Sequence, residues 1–174
     1  MKEYPFPATS GSDSPAIRAI PFFQSVSTED LERLLARTTI IECEPGERII
    51  SEGELDHSLY FLLRGRLRIM KDGSSVAAAW ESGEMFGEMA LMHNAPRTAS
   101  LVAESKVSCL KVDSQFIETL PEQERAAYMI ALYRYVALTA TERLASTTEK
   151  LAHCERELEE CHHQLNARGG SSEM

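Results

Sequence analysis

The chain has 174 residues, with 18 Lys+Arg against 27 Asp+Glu, so its formal net charge is −9. That length accommodates one domain plus an appendage, and a 43% hydrophobic content is enough for a real core, which excludes wholesale disorder. The acidic balance excludes a general affinity for nucleic acid or anionic membrane, yet leaves room for one small anion at a local basic group.

Residues 1–15 are rich in Pro, Ser and Gly, show no periodicity and read as a mobile, disordered arm. They lack the basic-then-apolar layout of a signal peptide, and no run approaches the roughly 20 apolar residues of a membrane span. The four cysteines (Cys43, Cys109, Cys154, Cys161) show no CxxC spacing. A reduced, cytoplasmic compartment is expected.

Residues 16–120 alternate short apolar segments with turns. Ser27-Thr28-Glu29-Asp30 reads as a helix cap with acidic first-turn residues, followed by an apolar face of Leu31, Leu34 and Leu35. Strand-like segments follow at 38–43, 47–50, 58–63, 66–71, 76–80, 97–103 and 107–112, punctuated by Gly46, Gly53, Gly65, Gly73 and Gly83. Asp113-Ser114 then caps a short helix through Phe116, Ile117 and Leu120. The expected class is α+β: an antiparallel, jelly-roll-like β-roll with flanking short helices.

Residues 121–168 form one long helical segment, with Pro121 at its start and neither Gly nor Pro after it; residues 169–174 fray as a disordered tail. From Ile130, apolar or small residues recur at Tyr133, Ala137, Ala140, Leu144, Thr147, Leu151, Cys154, Leu158, Cys161 and Leu165. Steps of three and four alternate without a break, as in a coiled coil. With the leucines at position a, Thr147, Cys154 and Cys161 fall at d. In a parallel pair, Lys150 then faces Glu155 of the second copy, and Glu157 faces His162. A parallel homodimer is expected. Histidines and cysteines lie close in sequence here, but Cys154 and Cys161 stand about 10 Å apart along one helix and cannot share an ion. No metal site is expected.

The strand rhythm breaks at Gly83-Glu84-Met85-Phe86-Gly87-Glu88-Met89-Ala90-Leu91. Gly87 at the start of a short turn leaves backbone N–H groups open to an anion, and Arg97 can return a guanidinium to it. Glu88 offers a carboxylate suited to a sugar hydroxyl. Taken singly, Glu88 reads as an acid at a helix start and Arg97 as a surface arginine. Their order and spacing make the difference.

Phe86-Gly-Glu-Met-Ala-Leu with Pro96-Arg-Thr-Ala99 resembles the phosphate-binding cassette of cyclic nucleotide-binding domains. Ile20-Pro-Phe-Phe23 and Pro45-Gly-Glu47 through Gly65 are similar to that family's leading helices and early roll. The resemblance implies that Glu88 takes the ribose 2′-hydroxyl and Arg97 the cyclic phosphate. Backbone groups around Gly87 and Ala90 complete the cradle; Met89, Thr98 and Ala99 lie within it, and Thr98 adds a hydroxyl to phosphate or base. Thr98 directly after Arg97 resembles the arrangement used for cGMP, although hydroxyls also occur there in cAMP binders.

Arg143-Leu144-Ala-Ser-Thr147-Thr148-Glu149-Lys150-Leu151 is similar to the central helix of the catabolite activator protein family. That similarity implies ligand contacts at Arg143, Thr147 and Thr148, with the two hydroxyls on adenine from one chain and its dimer partner. It favours cAMP over cGMP. In that family a helix-turn-helix domain follows; here the residues after Lys150 keep the heptad, so no recognition helix can be placed and no nucleic-acid partner is expected. The expected function is a non-catalytic receptor that passes cyclic nucleotide occupancy through a coiled-coil dimer to a protein effector. The alternative is an assembly protein with a ligand-less roll that acts through its coiled coil.

Overall fold

The computed structural model describes residues 1–7, 14–79, 82–89 and 95–169. It divides into two units, Met1–Tyr133 and Arg134–Met174. The first is the expected antiparallel β-roll, built from two sheets. Strands β1 (Lys2–Pro5), β2 (Thr38–Cys43), β9 (Val107–Asp113), β4 (Ser58–Arg64) and β7 (Met85–Phe86) form one sheet in that order. Strands β3 (Arg48–Ile50), β8 (Ser100–Ala103), β5 (Leu67–Lys71) and β6 (Ser74–Ala79) form the other. Inward residues of both sheets, among them Ile41, Tyr60, Leu62, Leu67, Leu101 and Cys109, meet in one buried cluster.

The arm expected over residues 1–15 is corrected at its start, because β1 pairs antiparallel with β2 from Lys2↔Glu42 to Pro5↔Thr39. Side chains hold it there: Glu3 accepts a hydrogen bond from Thr39 Oγ1 at 2.9 Å and faces Lys111 Nζ at 3.3 Å. Composition misled because Pro5 sits at the end of an edge strand, where proline is tolerated, and Pro7 lies beyond it. The rest of the arm, 8–13, lies outside the described residues.

Local chemistry sets the turns. Asp72 and Gly73 both take positive φ, +49° and +76°, and Lys71 pairs directly with Ser74, the two-residue hairpin that an Asp-Gly pair favours. Strand β6 therefore starts at Ser74 rather than 76. The strand expected from 97 begins only at Ser100, and β7 was not foreseen because two residues are too few for a periodic signal.

Helices α1 (Pro15–Arg18), α2 (Pro21–Gln24) and α3 (Thr28–Leu35) precede the roll. Ser27 caps α3 as expected, its Oγ accepting from Asp30 N at 3.1 Å. Strand β4 is buried on both faces: Tyr60 and Leu62 point into the roll, while Phe61 meets Phe22 and Phe23 of α2 with ring centroids 5.4 and 4.9 Å away. Helix α4 (Gln115–Glu118) follows β9, with Asp113 Oδ1 accepting from Gln115 N at 2.9 Å.

Helix α5 (Glu122–Gly169) is the long helix expected from 121–168. Pro121 stands just before it and supplies the carbonyl that accepts from Arg125 N at 2.9 Å. Within the first unit, Tyr128, Ala131 and Leu132 are buried and the Tyr128 hydroxyl donates to the Asp30 carbonyl of α3. The heptad residues Ile130 and Tyr133 are exposed, so this part of the helix buries a different face from the seam. The second unit is helical through Gly169, and residues 170–174 of the expected tail lie outside the described residues. Among the described residues no helix is long and apolar enough to cross a membrane.

Removing the Phe61 ring strips β4 of its contact with α2. Phe61→Ala is expected to lower unfolding free energy by about 3–5 kcal/mol in urea titrations, with the slope of the transition unchanged.

Candidate functional site

Arg97 is the residue on which the site is built. Its side chain is only 2% exposed, so the surface reading of this arginine is wrong. Its backbone is tied at both ends to the loop between β3 and β4, with Arg97 N donating to Glu54 O and Gly53 N donating to Arg97 O, each at 2.8 Å. Those bonds replace the strand pairing expected at this position.

The guanidinium is held from three sides. Nη2 donates to Asp56 Oδ2 and to the Ser58 carbonyl, both at 2.6 Å, and Nη1 donates to the Gly87 carbonyl at 3.0 Å. The Tyr60 ring centroid lies 5.6 Å from Arg97 Cζ. Arg97 Nε is buried and has no hydrogen-bond partner among the described residues. A guanidinium carries five N–H donors, so the three protein contacts leave capacity for an anion.

Asp56 is the counter-charge. It accepts from Arg97, from Ser58 N at 2.9 Å and from the Tyr60 hydroxyl at 3.0 Å. Burial pushes its carboxyl upward, but the bonds from Arg97 and the Ser58 backbone outweigh this and bring the pKa down to about 2. Burial and the neighbouring carboxylate push the Tyr60 phenol up, so it remains a donor. Asp56 is 32% exposed because it also lines a polar cavity of about 400 Å³ with Glu3, Arg37, Thr39, His57 and Lys111. Ser114, ahead of α4, donates to the His57 carbonyl and braces the same loop.

Gly87 follows β7 with φ of +94°, a conformation that favours glycine. A Cβ there would stand 2.3 Å from Arg97 Nη1 and 2.7 Å from the Ser58 carbonyl. The guanidinium approaches its carbonyl only because there is no side chain. Glu88 and Met89 directly after it are helical, Glu88 half-buried and Met89 exposed. Thr98 is exposed and its Oγ1 lies 3.7 Å from Met89 Sδ, while Ala99 is half-buried. Ala90 lies outside the described residues.

The structure therefore brings Gly87 and Arg97 into contact, and Met89 and Thr98 beside each other. Sequence reasoning missed Asp56, Ser58 and Tyr60. An aspartate accepting from the amide two residues on is a readable local turn, but its long-range partner is not. In the second unit Thr147 and Thr148 are exposed, and their hydroxyls donate to the carbonyls of Arg143 and Leu144 at 2.7 and 2.9 Å. The oxygens keep acceptor capacity.

A family model, the cyclic nucleotide-binding domain, matches residues 40–124, a span that holds every part of this arginine pocket. Over residues 40–124 the chain is similar to that family. The chain is 30% identical over 105 residues to a cAMP-dependent protein kinase regulatory subunit of Colletotrichum orbiculare, covering 60% of this chain and 27% of that protein. It is 26% identical over 103 residues to a cGMP-dependent protein kinase of Toxoplasma gondii, covering 59% of this chain and 10% of that one. It thus spans little more than a quarter of the one and a tenth of the other. A solved cyclic nucleotide-binding domain from Methylobacillus flagellatus superposes with TM-score 0.60 at 20% identity, over 67% of this chain and 70% of that one, which shows the shared fold.

Two outcomes are expected for the pocket. Gly87→Ala drives a methyl into the guanidinium and is expected to cost at least about 2 kcal/mol in urea unfolding. The Asp56 carboxyl has a folded pKa of about 2 against an ordinary value of 3.8, so the native state binds fewer protons between them. Its stabilisation is complete above pH 3.8 and is lost as pH falls through about 2. Unfolding of wild type and Asp56→Asn across that window should show about 1–2 kcal/mol of acid-dependent loss absent from the variant, after screening of its exposed part.

Proposed function

We propose that the roll is a cyclic nucleotide receptor without catalytic chemistry, acting in the cytoplasm, with cAMP favoured over cGMP. The observation that carries this reading is the buried, incompletely paired Arg97 guanidinium held against the Gly87 carbonyl. A buried cation with spare donors, beside a glycine turn, is suited to a singly charged cyclic phosphate. Nε and the free Nη1 donor, together with backbone N–H groups after Gly87, take the phosphate oxygens; the Glu88 carboxylate accepts from the ribose 2′-hydroxyl. Asp56 keeps the guanidinium aimed while the ligand is bound.

The relatives named for their nucleotides include both a cAMP- and a cGMP-dependent protein, so base choice rests on other residues. Thr147 and Thr148 offer acceptor oxygens to an exocyclic amino group such as that of adenine, and Arg143 stands on the same helical segment. Thr98 is a hydroxyl available to guanine. We infer the favoured base from the paired threonines.

Occupancy is passed on through a parallel pair of the long helices to a protein effector. Leu144, Leu151 and Leu158 form an exposed seam at seven-residue spacing, and the flanking charges are complementary in a parallel register. Thr147 lies within that seam, so a base held there favours one arrangement of the pair over another.

Calorimetry with cAMP and cGMP tests the reading. Saturable binding of cAMP, tighter than cGMP, is expected, with Arg97→Ala weakening it roughly 100-fold or more. Binding of neither nucleotide, with unchanged melting temperature and oligomeric state, would leave the coiled-coil assembly role instead.

A further inference from the structure

The long helix carries chemistry that nucleotide binding does not use. Of the four cysteines, Cys43 and Cys109 are buried in the roll, and burial pushes the Cys109 thiol up to about 12 and Cys43 upward as well. Neither is available as a thiolate. Cys154 and Cys161 are free and exposed on α5.

These two thiols stand seven residues apart, about 10 Å along the helix axis. Bridged cysteines have Cα atoms closer than about 7 Å, so they cannot bond to each other within one helix. A disulfide at either needs a second molecule.

The surroundings specify that molecule. Leu144, Leu151 and Leu158 are 68%, 59% and 58% exposed and occupy one heptad position, while Thr147, Cys154 and Cys161 occupy the other. The flanking positions hold Lys150 and Glu155, then Glu157 and His162, opposite in sign or hydrogen-bonding complements when a second copy runs parallel and in register. In that register each core residue faces its own counterpart. An antiparallel copy would set each cysteine against a leucine position instead.

We propose that Cys154 and Cys161 are oxidation-sensitive cross-linking sites, each forming a disulfide with its own counterpart on a second, parallel copy of the chain. The inference rests on the self-pairing proposed above and adds a covalent, redox-controlled form of it. A peroxide is the oxidant. One cysteine sulfur attacks a peroxide oxygen, the O–O bond breaks, and water leaves with a sulfenic acid on that sulfur. The counterpart thiol attacks this sulfur, the S–S bond forms, the S–O bond breaks and a second water leaves. Two thiols and one hydrogen peroxide become one disulfide and two waters; the sulfurs lose the two electrons that the peroxide gains. Thr147 precedes Cys154 by one heptad, so the cross-link holds the paired threonines in register whether or not nucleotide is bound.

The test uses the full chain, first under reductant by sedimentation, then after hydrogen peroxide by denaturing electrophoresis without reductant. Wild type is expected to sediment as a dimer and then to migrate at twice the chain mass, reverting with dithiothreitol. Cys154→Ser and Cys161→Ser each still cross-link, and the double variant does not. Trypsin separates the two thiols at Arg156, so mass spectrometry of the linked peptides reads the register directly. Links of Cys154 to Cys154 and Cys161 to Cys161 support the proposal; a Cys154–Cys161 link, or cross-linking by the double variant, overturns it. A dimer under reductant that forms no disulfide overturns the redox inference and leaves the self-pairing standing. A monomer under reductant overturns both.

Discussion

A buried guanidinium must have both its charge and its N–H groups answered, and the pocket of this roll is arranged around Arg97 doing so. Asp56 supplies the charge, the Ser58 and Gly87 carbonyls take two of the donors, and the Tyr60 ring lies nearby. The partners come from two places in the chain, residues 56–60 and Gly87. The β3–β4 loop, strand β4 and the turn after β7 must all be in position before the cation can be enclosed. The pairing Tyr60↔Phe86 is what brings Gly87 beside the Ser58 carbonyl, so the register of two short strands fixes the geometry of the cation. The Phe22–Phe61–Phe23 cluster fixes the other face of β4. The core and the pocket are thus one construction.

That enclosure is deliberately incomplete. Nε is desolvated with no protein acceptor among the described residues, a state that costs about 1–3 kcal/mol in a folded protein. An anion that takes this donor recovers the deficit, which makes a small phosphate worth more here than at an exposed arginine. The overall charge of −9 does not oppose it, because burial couples the ligand to one nearby cation rather than to the distant acidic surface.

Much of this was legible in the sequence, and what was not has definite physical causes. The Ser27 cap, the sequence of most strands and the long uninterrupted helix follow from local residue types. The spacing of Gly87 and Arg97 placed them near each other, though not the bond from the guanidinium to the Gly87 carbonyl. Asp56 escaped because its role depends on Arg97, 41 residues away, and no local pattern encodes that contact. Arg97 itself was placed at a strand start, whereas its backbone pairs with Glu54 and Gly53. The amino-terminal strand escaped because prolines and polar residues mask a short edge strand whose stability comes from Glu3 meeting Thr39 and Lys111.

The helix shows how one element divides its faces between two tasks. Tyr128, Ala131 and Leu132 are spent on the first unit, while Ile130, Tyr133, Leu144, Leu151 and Leu158 are left to solvent. In the proposed pair, the d positions at Thr147, Cys154 and Cys161 give up the burial that leucines there would contribute, about 1.5–3 kcal/mol for each side chain. A seam with leucine only at a is a weak one. In the proposed receptor, that weakness would let a ligand with a coupling energy of about 1–3 kcal/mol shift the pairing equilibrium appreciably. A fully apolar seam would pair regardless of occupancy and could report nothing. The same residues that weaken the proposed seam, Thr147, Cys154 and Cys161, are exposed hydroxyl and thiol groups.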